Sequence, residues 1–241
     1  MFCWCYPGCN RGEVRCVPET SSDRPGRSVL IGLESHIDRN LEDVAAELEQ
    51  FIALLVRWQK IQNLVSRETM PFLWTRHVRD SLQLIGEVRV GERAVLDLGS
   101  GGGFPAIPVA IALKERGMCY HLVESNKRKA SFLRTVAREL ELPIQVHGER
   151  MELLDEKDIG KVDLVTSRAT ASLVTIFALV SPFWTSRTRG LFHKGREVGE
   201  ELVKARADWS FDVLELASET DHDGRILEIS GLKARTQREL L

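Results

Sequence analysis

The 241-residue sequence predicts an α/β fold in which a mostly parallel, seven-stranded sheet follows an all-helical lobe. Three observations carry that reading. From about Glu34 to Gly86 apolar residues recur at helical spacing, and no β-rich run interrupts them. After Gly91 short apolar runs alternate with helical stretches, the pattern of a parallel sheet covered on both faces. The first of those runs ends in an aspartate and enters a turn with glycine at four of five positions, 99, 101, 102 and 103.

Residues 1–33 hold Cys3, Cys5, Cys9 and Cys16 and the linker-like "PETSSDRPGRS". The cysteines lack the paired C-x-x-C spacing of a zinc site, and nothing marks the chain for export to an oxidising compartment. The segment is therefore expected to be a leader without metal or disulfides. Residues 34–90 form the expected helical lobe. In "LEDVAAELEQFIALLVRWQKIQNLV", Leu41, Val44, Ala45, Leu48, Phe51, Ile52 and Leu55 repeat every three or four residues. A second helical segment, "LWTRHVRDSLQLI", carries Arg76, His77 and Asp80, and His77 and Asp80 share a helix face.

Residues 91–241 form the expected sheet domain. Strands are expected at Ala94–Leu98, Cys119–Val123, Ile144–His147, Val162–Thr166, Gly190–His193, Phe211–Leu216 and Ile226–Ile229. The last two have no helix between them, which predicts an antiparallel hairpin at one end of the sheet. Cys119 opens its strand at the end away from any ligand, so it reads as a core residue.

Composition permits such a fold. Hydrophobic residues make up 43% and charged residues 28%, enough to bury a sizeable core. No apolar run approaches the ~18 residues of a membrane span, and no export signal opens the chain, so a cytoplasmic protein is expected. The net charge of −2 argues against a general nucleic-acid coat but leaves local basic patches. Candidates are Lys127, Arg128, Lys129 and Arg134, the pair Arg187 and Arg189, and the C-terminal "KARTQR".

The glycine turn points to a ligand. Glycine allows positive φ and close backbone approach, and ligands on such sheets sit outside the carboxyl ends of the strands. A dinucleotide motif, G-x-G-x-x-G, would need glycine at position 104, where Phe104 stands. Asp97 at the strand end suits a ligand with an ammonium and a sulfonium better than a pyrophosphate. Glu124, after the second strand in "HLVES", is placed to accept ribose hydroxyls.

The pattern apolar-apolar-Asp-apolar-Gly-x-Gly-x-Gly resembles the S-adenosyl-L-methionine loop of the class I, Rossmann-like methyltransferases. The ordered set "WQKIQNLVS", "RHVRDS", "DLGSGGGFPAIP", "SRATASL" and "HKG" is more specific. Together these stretches resemble the bacterial 16S rRNA guanine-N7 methyltransferase family, also called glucose-inhibited division protein B, over roughly residues 36–230. Departures are Ala106 where the family has Gly, and Gln59 and Val65 where it favours Asn and Thr.

The resemblance implies a cofactor, S-adenosyl-L-methionine, held by Asp97, Gly99, Ser100, Gly101, Gly103, Phe104, Glu124, Met151, Glu152 and Arg168. It implies methylation of guanine N7 (guanine 527 in standard 16S numbering) in the small ribosomal subunit, by a monomer with no membrane partner. Arg168 and Lys194 are the candidate catalytic residues. Arg76, His77, Asp80 and Lys194 are the candidates for contact with RNA. The plainer alternatives are an ion pair at Arg168, a solvated lysine at Lys194, a core contact at Met151 and a helix-start acid at Glu152.

"TSRATAS" lacks the Asn/Asp-Pro-Pro-aromatic motif of amine methylation, and no cysteine stands ready as a nucleophile for pyrimidine carbon. Guanine N7 carries a lone pair and no proton, so it needs no base. Two rival functions remain open at this level. One is a small-molecule methyltransferase with the same loop; the other is a non-catalytic nucleotide-binding module linked to cell division.

Overall fold

A computed structural model describes residues 24–168 and 171–235; Cys3, Cys5, Cys9 and Cys16 lie outside them. Strands β1 (Ala94–Leu98), β2 (Cys119–Val123), β3 (Ile144–His147), β4 (Leu164–Arg168), β5 (Arg189–Lys194), β6 (Trp209–Ala217) and β7 (Arg225–Ala234) form one sheet in the order 3-2-1-4-5-7-6. The first five are mutually parallel, and β7 runs antiparallel to both β5 and β6. The chain moves outward from β1 in one direction and from β4 in the other. The gap between their carboxyl ends is the switch point, where neither connection covers the sheet.

Helix α1 (Pro25–Ser28) precedes α2 (Leu41–Gln59), whose start is set by Asn40 accepting from the amides of Glu42 and Asp43. Val44, Ala45, Leu48, Phe51, Ile52 and Leu55 of α2 are buried, the face the spacing predicts. Short helices α3 (Asp80–Leu82) and α4 (Ala106–Ala112) and the longer α5 (Lys127–Glu139) pack with this lobe on one side of the sheet. Asn126 caps α5 by accepting from Arg128 and Lys129. On the other side lie α6 (Glu156–Ile159), α7 (Leu173–Val180) and α8 (Val198–Asp208). The lobe and the sheet thus share a single apolar core, in which each large side chain contributes about 1.5–3 kcal/mol.

Several expectations are corrected. Residues 24–33, read as part of a linker, are packed: Val29, Leu30 and Leu33 are buried, and Arg24 bonds the Glu49 carboxylate of α2. The second helical segment is not one regular helix. Leu73–Arg79 winds as a wide π-turn, α3 continues it for three residues, and a 3-10 stretch, Gln83–Glu87, closes it. Strand β4 is displaced two residues from its expected position, because Asp163 is spent on accepting the amides of Arg93 and Ala94 at the foot of β1. Strands β6 and β7 extend beyond the expected hairpin, with an irregularity between Ser210 and Asp212. Cys119 is exposed, since the first residue of β2 stands at the rim of the sheet rather than in the core.

Candidate active site

The glycine turn sits at the carboxyl end of β1. Gly99, Gly101 and Gly103 have φ of +65°, +53° and +91°, values that L side chains resist. The amides of Gly99 and Ser100 bond the Val123 carbonyl at 2.9 and 3.1 Å, which lays the turn against β2. Glu124, buried just past β2, accepts from Gly101 N–H at 2.9 Å through one oxygen and from Asn126 N–H at 2.7 Å through the other. Each oxygen keeps a second lone pair, so ribose hydroxyls remain acceptable partners.

The glycines differ in what they make room for. A Cβ on Gly103 would strike the Ile107 side chain at 2.5 Å, and one on Gly102 would stand 3.1 Å from the Leu64 carbonyl of the helical lobe. At Gly101 the nearest atom would be 3.7 Å away, so this glycine faces room instead of protein. The lobe loop that meets Gly102 is held by Gln59, whose side chain accepts from Leu64 and Val65 N–H and donates to the Val65 carbonyl. Gln59, the last residue of α2, thus serves the turn by holding the loop that packs against Gly102, a role its place in an amphipathic helix did not signal.

Asp97 lies beside Thr166 in the β1–β4 register, and the Thr166 hydroxyl donates to Oδ1 at 2.7 Å. The Ser100 hydroxyl donates to the Asp97 backbone carbonyl at 3.2 Å. Oδ2 is buried and has no hydrogen-bond partner among the described residues. Burial pushes the carboxyl up to about 7, against the opposing pull of the Thr166 bond. An unsatisfied buried acceptor beneath an open glycine turn fits a cationic ligand: the ammonium of S-adenosyl-L-methionine would satisfy it.

Arg168 closes the other side of the switch point. Its guanidinium donates to His77 Nδ1 at 2.6 Å, to Asp80 Oδ2 at 3.1 Å and to the Arg76 carbonyl at 3.0 Å. It also stands 5.1 Å over the Phe104 ring, which lies 4.9 Å from the His77 ring. The π-turn and α3 therefore bring His77 and Asp80 to one guanidinium, beyond the shared helix face their spacing predicts. Asp80 further accepts from the Thr220 hydroxyl at 2.6 Å and the Gln83 amide at 2.8 Å, and its carbonyl bonds His193 Nε2 at 2.9 Å. Burial, reinforced by the Arg168 charge, lowers His77 to about 4.

The remaining candidates are dispersed. Arg76 is exposed and 3.9 Å from Asp221. Met151 is buried in the second-side core, while Glu152, next to it in a 3-10 turn after β3, is exposed. Lys194 ends β5 with its side chain 8% exposed, paired with Glu201 at 2.8 Å and bonded to the Ala171 carbonyl at 2.7 Å. An open cleft of ≈ 660 Å³ nonetheless runs past it, lined also by Asp80, Arg168, His193 and Arg225. Arg189, grouped by sequence with Arg187 as a basic patch, is buried among Glu92, Glu228 and the Glu87 carbonyl, so it is an internal ion pair. Thr166 and Glu201 went unnoticed in the sequence, because a threonine within a strand and an acid in a helical first turn carry no motif.

The chain is similar to known proteins in sequence and in fold. The family model described as rRNA small subunit methyltransferase G matches residues 44–226. Proteins named ribosomal RNA small subunit methyltransferase G from Brucella ovis and Brucella canis are each 44% identical over 195 residues, 80% of this chain and 91% of theirs. A SAM-dependent methyltransferase from Aquifex aeolicus superposes with a TM-score of 0.53 at 13% identity, covering 73% of this chain and 97% of its own. That likeness shows the fold: the sheet is the class I methyltransferase sheet. The extent of the family match and the identity to the Brucella proteins place the chain in the rRNA small subunit methyltransferase G family.

Proposed function

We propose that this chain transfers a methyl group from S-adenosyl-L-methionine to N7 of a guanine in 16S rRNA, guanine 527 by family resemblance. In this reading it acts as a cytoplasmic monomer on the small ribosomal subunit. Membership of the family makes it a methyltransferase of small-subunit rRNA that uses S-adenosyl-L-methionine; the atom, the assembly and the residues are the proposal.

His77 carries the reading. Arginine only donates, so the 2.6 Å contact from Arg168 occupies the Nδ1 lone pair and leaves the ring proton on Nε2. With its pKa near 4, His77 is neutral and has no free basic nitrogen at physiological pH. Asp80 is committed to Arg168, Thr220 and Gln83. Such a site suits an acceptor that loses no proton before attack, and guanine N7 is one.

When bound, the cofactor supplies an electrophilic methyl group on a sulfonium. Asp97 would receive its ammonium, Glu124 its ribose hydroxyls, and the backbone at Gly99, Ser100, Gly101 and Gly103 would lie against it beside Phe104. Arg168, held by His77 and Asp80, fixes one wall of the space in which N7 lines up with the methyl group, so the gain in rate is one of proximity. Met151 and Glu152 remain candidates for the adenine edge, and Arg76 for an RNA phosphate.

Transfer of labelled methyl from S-adenosyl-L-methionine tests this. Small subunits should be methylated far faster than free guanosine, and the label should map to guanine N7. The single-turnover rate at saturating cofactor should be nearly flat from about pH 6 to 8.5. A steep rise with pH that vanishes in His77→Ala would make His77 a base and overturn the account.

A further inference from the structure

Strands β6 and β7 are joined by the turn of residues 218–224, which Ser218 N–H closes on the Gly224 carbonyl at 3.2 Å. The turn lies against the helical segment that carries His77 and Asp80, and meets it at positions 76, 79, 80 and 83. Asp221 stands 3.9 Å from Arg76, Glu219 accepts from Arg79 at 2.6 Å, and Glu219 N–H donates to the Gln83 side chain at 2.9 Å. Between these contacts the Thr220 hydroxyl donates to Asp80 Oδ1 at 2.6 Å. Gln83 donates to the same oxygen at 2.8 Å, and Oδ2 accepts from Arg168 at 3.1 Å. Thr220 thus reaches Arg168 through one carboxylate, by two hydrogen bonds.

We infer that Thr220 is a positioning residue: its hydroxyl sets the plane of the Asp80 carboxylate, and through it the place of Arg168 beside the methyl acceptor. The inference rests on the methyltransferase reading above. The Asp80 backbone is already tied to β5, since its carbonyl bonds His193 Nε2 at 2.9 Å. What remains to be set is the rotation of the carboxylate, a broad torsion that the surrounding donors decide. Gln83 is three residues on and moves with Asp80. Thr220 lies 140 residues away, in a turn whose strand β7 pairs with β5, so it refers the carboxylate to the sheet itself. The hydroxyl has one proton and Asp80 takes it, so Ser218, 3.2 Å away, is the donor of the Ser218–Thr220 pair. A misplacement of about 1 Å at a reacting geometry costs roughly a hundredfold in rate, and loss of one donor of three allows a part of that.

Thr220→Val keeps the shape of this half-buried residue and removes the hydroxyl, whereas Thr220→Ser keeps the hydroxyl. Thr220→Val should lower single-turnover methyl transfer at saturating small subunits and cofactor about tenfold. KM for subunits and calorimetric affinity for S-adenosyl-L-methionine should stay within about twofold of wild type. Thr220→Ala deletes the same hydroxyl and should match it, so a folding defect peculiar to valine does not decide the result. Thr220→Ser should restore the rate to within about twofold of wild type. Placed on Asp80→Ala, Thr220→Val should cost nothing further, because both act through one carboxylate. A raised KM with unchanged rate would make Thr220 an RNA contact and overturn the inference. An unchanged rate, a serine variant as slow as the valine one, or losses that multiply with Asp80→Ala would also overturn it. If the wild type itself fails to methylate subunits, the rRNA reading falls; the positioning is then judged by exchange of the Arg168 guanidinium protons with water, followed by NMR. Exchange should quicken in Thr220→Val and not in Thr220→Ser, and unchanged exchange would end the inference.

Discussion

Asp97 shows how much one buried carboxyl can commit a site to its ligand. Its ordinary value of 3.8 rises to about 7 in the fold. Between those values the folded protein holds a proton that the unfolded chain has released, so stability is full below the unfolded value and falls as pH rises toward 7. Asp97→Asn removes this slope. Between pH 4 and 8 chemical denaturation should show the wild type losing on the order of 3 kcal/mol relative to that variant. A ligand ammonium reverses the balance, since it favours the charged form. Affinity for S-adenosyl-L-methionine should therefore climb with pH to about 7 and then level, with proton release on binding below that point. Calorimetry in buffers of different ionisation enthalpy checks this, and an affinity independent of pH with no proton released would refute it. Gly101→Ala isolates the turn instead. The new methyl clears its neighbours by 3.7 Å, so the cost to stability is the left-handed backbone alone, about 1–2 kcal/mol. Loss of cofactor binding should exceed what that cost explains, and wild-type affinity would remove Gly101 from the ligand surface.

At the scale of elements, the loop after α2 is tied to the start of α5, and both carry basic residues. The Gln62 side chain donates to the Arg128 carbonyl at 3.1 Å, which ties the loop that carries Lys60 and Arg67 to the start of α5, where Lys127 and Arg128 stand. Charge reversal, Lys127→Glu with Arg128→Glu, should raise KM for subunits about tenfold and flatten its salt dependence. Cofactor affinity should not change, and an unaltered salt slope would exclude this face from RNA. Strands β1, β2 and β3 were legible to the residue, because each is a short apolar run ended by glycine, proline or a charged turn. Strand β4 was not. Its polar end, Ser167 and Arg168, looks like loop, and the ladder to β1 and β5 holds it as strand. The loop chemistry around Asp97, the glycines and Glu124 could be read from local spacing. The partners of Arg168 and Lys194 could not, since His77 and Asp80 are 91 and 88 residues from Arg168 and the connection to Glu201 passes through a helix cap.

For the whole molecule, the helical lobe belongs to the core of the sheet. Leu30 is fully buried in the cluster that contains Phe51, Phe104 and Tyr120. Leu30→Ala should cost about 2–5 kcal/mol, measured by chemical denaturation in a single cooperative transition. A separate early transition would mean that the lobe unfolds by itself. The same intimacy gives Gly102 a different allegiance from its neighbours. Gly99, Gly101 and Gly103 answer to backbone angle, whereas Gly102 has ordinary φ and is hemmed in by the Leu64 carbonyl. A descendant that kept the cofactor and shed the lobe would be free to replace glycine at 102 while still bound to it at the other three. What reads as a ligand signature is in that one letter the footprint of the helical lobe on the turn.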